Sequence, residues 1–253
     1  MKIISICSEK GGAGKTTTTV GIAKSLVKLG FKVLTIDLDQ QGNLGRSLGF
    51  IKDGKVTSAE LLYNTISGMD TDIQDIIRHA DNGIDYIPSS QMLTSITSLM
   101  ANDADSNYIV RRALDNAVFK AYDFILIDCR TLLDLLVANA MNASDYVIIP
   151  VESGVYSFDG LEKMLNKVES IRNSTNPKLQ MLGILLNKVQ RTTVSMSIID
   201  SVRESCPNIT FQTVLPFCPA QSEDIAMGVD KDGKMTRAFG EVAEEIVTKV
   251  FGV

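Results

Sequence analysis

The sequence has no tryptophan, a single histidine (His79) and four cysteines, none of which forms a C-x-x-C pair. Because zinc is bound by histidine and cysteine at short, regular spacings, a structural zinc site is not expected. The scattered cysteines also argue against a disulfide framework, so we expect reduced thiols that pack as small apolar groups. No apolar run approaches the roughly 20 residues that a membrane-spanning helix needs. Together these absences favour a soluble cytoplasmic protein.

An excess of basic charge is also missing, since 25 Lys and Arg residues face 30 Asp and Glu residues, for a net charge of -5. A protein coated all round in positive charge is therefore excluded, and nucleic-acid binding would require a local basic patch. Hydrophobic residues make up 45% of the 253 positions. That is enough to form a core, and it excludes intrinsic disorder.

Short apolar segments rich in β-branched residues alternate along the chain with segments of helical period. The apolar segments predict strands over residues 3–7, 32–36, 84–87, 124–127, 146–151, 181–186 and 211–215. The periodic segments predict helices over residues 16–29, 107–121, 132–141, 159–171, 194–204 and 236–251. The alternation predicts one doubly wound α/β domain over residues 1–253, with a mostly parallel central sheet flanked by helices. Residues 49–83 are the least regular, and form either a cover or partner surface near the site or an ordinary surface excursion.

The most informative segment, EKGGAGKTT over residues 9–17, lies between the first predicted strand and the first predicted helix. Its glycines allow backbone N–H groups to converge on anionic oxygens, and the helix N-terminus adds partial positive charge. Lys15 can reach the β- and γ-phosphates of a nucleotide, and the Thr16 hydroxyl can ligate Mg²⁺. The predicted nucleotide-binding residues of this loop are Lys10, Gly11, Gly12, Ala13, Gly14, Lys15, Thr16 and Thr17.

A dinucleotide-binding loop is the alternative interpretation of these glycines. Asp37, at the end of the second predicted strand, would then be the acid that binds ribose. The spacing does not support this alternative, because Lys15, Thr16 and Thr17 follow Gly14 without the third glycine or alanine of that motif. A lysine at this point suits a terminal phosphate better than a pyrophosphate bridge.

The loop differs from the generic phosphate-binding loop, because Glu9 stands where the first glycine is expected and Lys10 adds a second lysine. In this it resembles the deviant Walker A loop of the ParA/MinD family of P-loop ATPases. The resemblance continues through DLDQQGN at 37–43, DFILIDC at 123–129, IIPVE at 148–152 and GILLNK at 183–188. The first of these segments resembles the family's switch I. Within the family, the chain is most similar to the small partition ATPases of the ParA/Soj type.

The resemblance implies ATP and Mg²⁺ as cofactors and gives roles to particular side chains. Lys10 would reach across a dimer interface to the partner's nucleotide, Lys15 would bind phosphate in its own subunit, and Asp39 would position the attacking water. These three are the predicted catalytic residues. The predicted magnesium site consists of Thr16, Asp37 and Asp128, and the predicted adenine contacts are Asn187 and Pro216.

Each of these polar residues also has an ordinary interpretation. Asp37 and Asp39 could belong to a solvated acidic turn. Asp128 could cap a helix, Asn187 could be a turn residue, and Pro216 could simply end a strand. The phosphate-binding loop upstream is the feature that favours the functional interpretation of the carboxylates.

The chain departs from the family pattern at three places. Gln40 stands where switch I usually has proline, which should loosen the backbone there. Arg130 follows Cys129 where the family usually has proline. It could add a cation near the γ-phosphate or the dimer interface, or pair with a surface acid. The stretch from Pro216 to Glu223 lacks the arginines that DNA-binding relatives carry.

The resemblance predicts an ATP-dependent dimerisation switch that hydrolyses ATP in plasmid or chromosome partition. The ATP dimer would bind DNA nonspecifically, which would place it on the nucleoid, and a ParB-like activator would stimulate hydrolysis. Basic candidates for DNA contact are Lys163, Lys167, Lys188, Arg191 and Arg203, of which the last three are the predicted contacts, with solvated surface charge as the alternative.

The sequence also bears on two other functions and one other location. A ParA-like ATPase that positions a protein complex without strong DNA binding is the alternative, and a small-molecule kinase is a more distant third class. Membrane attachment is not expected, because the C-terminal helix has an acidic face opposite its apolar stripe. We expect that stripe to pack on the body of the protein.

Overall fold

A central sheet of seven strands organises the molecule, in a computed structural model that describes residues 1–154, 157–218 and 233–252. The strands are β1 (Lys2–Ile6), β2 (Val33–Leu38), β3 (Arg78–His79), β4 (Asp85–Ile87), β5 (Phe124–Cys129), β6 (Tyr146–Glu152) and β7 (Gln180–Asn187). Their order in the sheet is β3-β4-β2-β5-β1-β6-β7, and every pair except β3 with β4 is parallel. The predicted α/β fold with a mostly parallel sheet is confirmed.

Helices lie on both faces of this sheet. They are α1 (Lys15–Lys28), α2 (Asn43–Ser47), α3 (Ser58–Ser67), α4 (Ile73–Ile76), α5 (Leu93–Met100), α6 (Ile109–Ala113), α7 (Leu135–Ala143), α8 (Ser157–Ser174), α9 (Thr193–Ser205) and α10 (Lys234–Phe251). Alternate residues of each strand point to opposite faces of the sheet and pack in different apolar layers. Ile3 and Ile125 pack in the layer that includes α5 and α7, whereas Ile4 and Leu126 pack in the layer that includes α1 and α10.

The carboxyl ends of β1, β2 and β5 meet at one edge of the sheet. In the strand register, Ile6 of β1 and Asp37 of β2 both lie beside Asp128 of β5. The loops that leave these strands therefore converge, which is where ligand sites form in parallel α/β sheets. The glycine-rich loop follows β1 at this edge, and the DLDQQGN segment follows β2.

The C-terminal helix α10 packs against α1, as its apolar stripe predicts. Val242 and Ile246 of that stripe are fully buried. A Cβ at Gly21 of α1 would lie 2.4 Å from the ring of Phe239, so the two helices approach closely only because position 21 has no side chain. Among the helices formed by the described residues, none has the length and apolar character needed to cross a membrane.

The predicted strand over residues 211–215 is not a regular strand. The segment pairs with the region of β7 only through single bridges near its two ends. Between them, the backbone amides of Gln212 and Thr213 donate to the carboxylate of Glu245 on α10 (3.0 and 2.7 Å). A side chain from another element thus takes the hydrogen bonds that a neighbouring strand would have made.

The predicted helix over residues 107–121 is interrupted. It is helical only as α6 and as a short 3-10 turn at Phe119–Ala121. Between them, Oδ1 of Asn116 accepts from the amide of Val118 (2.9 Å), a local bond that competes with helix continuation. The predicted helix over residues 132–141 begins later, because Asp134 caps α7 by accepting from the amides of Leu136 and Val137.

Candidate nucleotide-binding site

The loop between β1 and α1 is shaped by glycines in left-handed conformations. Gly12 has a φ of 76° and Gly14 has a φ of 88°. Residues that carry a Cβ rarely adopt these left-handed conformations. A Cβ at Gly14 would also lie 2.2 Å from Nδ2 of Asn187. Helix α1 begins after Gly14 without a capping side chain and without an acidic residue in its first turn. Its first amides can therefore bind an anion.

Lys15 and Thr16 open α1 and contact the segment that contains β5. Nζ of Lys15 donates to Oγ1 of Thr131 (3.2 Å), and the lysine is buried. Oγ1 of Thr16 donates to Oδ2 of Asp128 (2.6 Å). The other oxygen of Asp128, Oδ1, is buried and has no hydrogen-bond partner among the described residues. A coordinated cation would satisfy such an oxygen.

Two buried carboxylates, Asp37 and Asp128, lie opposite each other on β2 and β5. Burial raises the pKa of Asp128 to about 7, although Thr16 and Lys15 act in the opposite direction. Burial, followed by the charge of Asp128, raises the pKa of Asp37 well above its usual range. The ionised pair is thus unfavourable in the protein alone, and a divalent cation would offset this cost.

Asp37 holds the start of α2. Its Oδ1 accepts from the amide of Asp39 (3.0 Å), and its Oδ2 accepts from the amides of Leu44 (3.1 Å) and Gly45 (3.4 Å). The structure therefore brings Asp37 to the predicted magnesium site but engages both of its oxygens with backbone amides. Its carboxylate organises the loop after β2 in this arrangement.

Asp39, the residue predicted to position water, lines the cleft above the glycine-rich loop. Its Oδ1 accepts from the amide of Gln41 (3.0 Å), and its carbonyl accepts from the hydroxyl of Ser89. The carboxylate is thus fixed by its own loop, while Ser89, from the loop after β4, fixes the backbone. Asp39 is half-buried, so its carboxylate can still meet solvent in the cleft.

The cleft has a volume of about 370 Å³. Its lining consists of Gly12, Gly14, Lys15, Thr16, Thr17, Asp39, Asn43, Arg46, Ser47, Thr131 and Lys188. Four of these, Asn43, Arg46, Ser47 and Thr131, are not among the site residues predicted from the sequence. The sequence signal for the first three is that Asn43 ends the DLDQQGN segment and begins α2. Gly11 and Ala13 belong to the loop but do not line this cleft. Gly11 is exposed and Ala13 is buried.

Lys10 points away from this cleft. Its Nζ forms an ion pair with Oε2 of Glu152 at the end of β6 (2.7 Å), and its side chain is 37% exposed. Lys188 pairs with the same carboxylate (Nζ to Oε1, 3.7 Å). Burial acts to raise the pKa of Glu152, but Lys10 and Lys188 outweigh it and hold that pKa below its usual value. The two lysines of the glycine-rich loop therefore face different surroundings.

Asn187 anchors the glycine-rich loop from below. It is buried, its Nδ2 donates to the carbonyl of Ala13 (2.9 Å), and its Oδ1 accepts from the amide of Lys188 (2.7 Å). Each polar group thus has one protein partner and could accept or donate one more hydrogen bond, and the adenine contact of Asn187 stays a prediction. Pro216, the other predicted adenine contact, lies beside Val189 just beyond β7.

The predicted DNA contacts lie in different surroundings. Lys188 has a positive φ of 54°, lines the nucleotide cleft and has a side chain that is 38% exposed, and its contact with DNA stays a prediction. Arg203 on α9 is exposed and donates to the carbonyl of Gln212 (2.9 Å). Arg191, in the loop before α9, is exposed. The predicted stretch from Pro216 to Glu223 continues beyond residue 218, outside the described residues.

Arg130 pairs with an acid, which is one of the alternatives that the sequence left open. The acid is Asp134, the cap of α7. Arg130 is 8% exposed, and it also donates to Oε1 of Gln40 (3.0 Å) and Oγ1 of Thr97 (3.2 Å). The arginine is thus buried rather than on the surface, and it connects three segments, of which the loop after β2 borders the cleft.

Thr16 and Asp128 are the residues that fit Mg²⁺ best. Thr16 lines the cleft, and its hydroxyl donates to the carboxylate of Asp128, whose other oxygen has no hydrogen-bond partner among the described residues. Within residues 1–154, 157–218 and 233–252, no group of three His, Cys, Asp or Glu side chains could hold a metal ion. A nucleotide-bound Mg²⁺ needs only one or two protein ligands, because phosphates and water supply the rest.

A glycine-rich loop with a buried lysine and a threonine, set between a central parallel strand and a helix, defines a P-loop nucleotide-binding protein. The sequence pattern of the family described as AAA domain matches residues 1–181. Over 217 residues the chain is 35% identical to sporulation initiation inhibitor protein Soj of Bacillus subtilis, covering 85% of this chain and 84% of Soj. The chain belongs to the ParA/Soj family of partition ATPases.

Two further comparisons cover nearly the whole chain. The chromosome partitioning protein ParA of Caulobacter vibrioides is 28% identical over 256 residues, covering 98% of this chain and 95% of that protein. The crystal structure of cobyrinic acid a,c-diamide synthase from Mycobacterium smegmatis, with an ATP analogue and magnesium bound, superposes with a TM-score of 0.87 at 26% identity. That match covers 100% of this chain and 97% of the mycobacterial one.

Proposed function

We propose that this protein is an ATP-dependent dimerisation switch that hydrolyses ATP and acts in plasmid or chromosome partition. One observation carries the proposal: the two lysines of one loop are held differently. Lys15 is buried at the base of the cleft, whereas Lys10 is partly exposed and paired with Glu152 outside it. A lysine that does not point into the cleft of its own subunit is free to contact the nucleotide bound by a second copy of the chain.

Within one subunit, the loop amides and Lys15 bind the triphosphate, and Thr16 with Asp128 hold Mg²⁺. When bound, Mg²⁺ neutralises charge on the phosphate oxygens. Asp39 orients a water for in-line attack, so that a bond forms from the water oxygen to the γ-phosphorus. The bond from that phosphorus to the bridging oxygen breaks, and ADP and phosphate leave. The partner's Lys10 stabilises the charge on the transferring group, as an arginine finger does.

The switch depends on what Lys10 is paired with. In one subunit the ammonium group is neutralised by Glu152. In the ATP dimer it would exchange that carboxylate for phosphate oxygens of the partner's nucleotide, so a positive charge is never left unpaired. Loss of the γ-phosphate removes the stronger anion, and Lys10 returns to Glu152. A ParB-like activator would accelerate hydrolysis and so reset the dimer.

The dimerisation step is tested by Lys10→Ala. The matched control is Lys163→Ala, which removes a lysine that is also paired with a glutamate near the loop, Glu9 (3.3 Å). We expect the wild type and the control to double in mass with a slowly hydrolysed ATP analogue but not with ADP, as measured by light scattering. Lys10→Ala should lose at least about 100-fold in hydrolysis rate. A Lys10→Ala protein that dimerises and hydrolyses normally would reject the switch.

The DNA part of the proposal predicts binding that depends on both ATP and salt. A few phosphate contacts by Arg191 and Arg203 of both subunits would give weak, sequence-independent binding, and the affinity would fall steeply as the salt concentration rises. Fluorescence titration of duplex DNA with ATP and with ADP measures it. Arg191→Ala with Arg203→Ala should abolish the ATP-dependent part. Identical weak binding in both nucleotide states rejects DNA as the partner.

A ParA-like ATPase that positions a protein complex is the second candidate. It is favoured by the position of Lys188, which lines the nucleotide cleft and pairs with Glu152, and by the net charge of -5. These features leave little positive charge for DNA. ATP-dependent dimerisation without ATP-dependent DNA binding would select this candidate over the first.

A further inference from the structure

Gln40 and Arg130 are 90 residues apart in the sequence but contact each other in the fold. Oε1 of Gln40 accepts from a terminal nitrogen of Arg130 at 3.0 Å. Gln40 directly follows Asp39 in the loop after β2, and Arg130 directly follows β5. The same two positions carry residues that depart from the sequence pattern described above, and the structure joins them by a hydrogen bond.

The guanidinium of Arg130 is buried and has several partners. It forms an ion pair with Asp134 and donates to Gln40 and Thr97. Thr97 can accept, because its own hydroxyl proton is directed to the carbonyl of Leu93 (2.8 Å). A guanidinium has five donors in a fixed plane, so one buried arginine can join three segments at defined angles.

Arg130 joins three segments, of which the loop after β2 borders the cleft through Asp39. Gln40 belongs to the loop of Asp39, Thr97 lies on α5, and Asp134 caps α7. On the other side, the residue after Arg130 is Thr131, which accepts from Nζ of Lys15 (3.2 Å). Arg130 therefore lies between the loop of Asp39 and the lysine that binds phosphate.

Arg130 itself does not line the cleft, whereas Thr131 does. Its role is therefore that of a positioning residue. Burial lowers the pKa of Arg130, and the negative charge of Asp39 opposes this shift. The guanidinium is therefore close enough to Asp39 to interact with its charge. Other bonds also hold this loop, since Ser89 and the amides of Gln41 and Gly42 donate to Asp39. Arg46 donates to the carbonyl of Gln41, and Arg130 binds the side chain of Gln40.

We infer that Arg130 and Gln40 form a bridge that fixes the Asp39 loop against α5 and α7, and that this bridge sets the rate of ATP hydrolysis without contributing to ATP affinity. The inference rests on the proposed role of Asp39 in hydrolysis. A merely structural arginine, paired with Asp134 to cap α7, would affect stability and leave the turnover of the folded enzyme unchanged.

A double-mutant cycle on the turnover number tests the bridge. Gln40→Ala removes the acceptor, and Arg130→Lys keeps the charge and the pairing with Asp134 but loses the planar fork. We expect each variant to lower kcat about tenfold with the KM for ATP within about twofold. The double variant should be no slower than the slower single one, because both changes break one bridge.

The controls separate this effect from general damage. Arg112→Lys alters an arginine that also joins two elements, through Asp103 and the carbonyl of Thr65, and Gln74→Ala alters an exposed glutamine. Both should hydrolyse ATP at the wild-type rate. Gln40→Glu, which keeps an oxygen opposite Arg130, should retain at least about half of the wild-type kcat. Unchanged kcat in Gln40→Ala, or effects that multiply in the double variant, would overturn the inference.

A second readout does not depend on activity. Amide hydrogen exchange of residues 39–43 in the nucleotide-free protein should be faster in Arg130→Lys and Gln40→Ala than in the wild type, and unchanged in Arg112→Lys. If the wild type proves unable to hydrolyse ATP, the proposed function fails, and exchange still decides whether the bridge exists. Equal exchange in all four proteins would refute the bridge by itself.

Discussion

The glycine-rich loop and the loop after β2 meet at the same cleft, but they are held by different means. The first is fixed by its backbone: Gly14 has a φ that excludes larger residues, and it lies against the buried amide of Asn187. The second is fixed by side chains, since Asp37 accepts from three of its amides and Gln40 is bound by Arg130. Backbone geometry gives a permanent anion site, whereas side-chain hydrogen bonds can rearrange when a ligand changes.

The largest effect is expected from Gly14→Ala, which breaks the backbone-determined loop. The new Cβ would lie 2.2 Å from Nδ2 of Asn187 at a φ of 88°. We expect a loss of about 3 kcal/mol in the free energy of unfolding and at least a hundredfold loss in affinity for an ATP analogue. Urea unfolding and calorimetric titration measure the two quantities.

Gly30→Ala is the control for that change, because Gly30 has a φ of 92° with open space where its Cβ would lie. Its free energy of unfolding should fall by only about 1 kcal/mol, the cost of the backbone conformation alone, and its affinity for the ATP analogue should be unchanged. Equal losses in the two variants would mean that the contact with Asn187 contributes nothing.

Asp128→Asn sharpens the comparison by removing the charge beneath both loops. The pKa of Asp128 is raised to about 7 from its usual 3.8, so in the metal-free protein its contribution to stability is greatest below pH 3.8 and is lost as the pH rises through 7. The asparagine variant should therefore be more stable than the wild type at pH 8, by about 2 kcal/mol, and not more stable at pH 4. Urea unfolding in the presence of a chelator measures this.

The same variant should hydrolyse ATP at least about a hundredfold more slowly, since the cation loses a charged ligand. Asp81→Asn, at an exposed position, is the control and should change neither quantity. A wild type whose stability does not depend on Asp128 between pH 4 and pH 8 would contradict the electrostatic argument.

The smallest effect is expected from Ser89→Ala, which removes one of several bonds that hold the loop after β2. The Ser89 hydroxyl donates to the carbonyl of Asp39. We expect a stability loss of about 1 kcal/mol and a kcat two- to threefold lower, with the KM for ATP unchanged. Ser174→Ala, which removes a hydroxyl that donates to the carbonyl of Ser170 on α8, should leave kcat unchanged. A Ser89→Ala protein with unchanged kcat would show that the other bonds suffice.

Much of the fold follows from local pattern. The strands of the sheet centre are apolar on both faces, and Gly30 ends α1 where its period ends, so the sequence predicts their places within a few residues. The edge strand β3 has two residues and leaves no periodic signal. The segment over 211–215 is apolar, as a strand would be, but the amides of Gln212 and Thr213 donate to Glu245 of α10 instead of to a neighbouring strand.

In the candidate site, too, local sequence predicts some features, and contacts between distant segments decide the others. The glycine-rich loop is contiguous, so its lysines and threonine are visible in the sequence alone. The positions of Lys188 and Arg130 are not, because they depend on contacts between distant segments. Lys188 has a positive φ, which a lysine in the sequence does not indicate, and its ammonium group pairs with Glu152. Arg130 was correctly seen as an unusual cation, but its partners lie on three different elements.

The central claim is that Lys10 acts on the nucleotide of a second copy, and mixing two inactive variants tests it most directly. Lys10→Ala keeps its own Asp39 but cannot supply the lysine, and Asp39→Ala can supply the lysine but cannot position water. Each dimer that pairs one of each holds one complete site, so we expect the mixture to recover ATP hydrolysis, to about a quarter of the wild-type rate when the subunits pair at random. A mixture no more active than the two variants measured separately would contradict the claim.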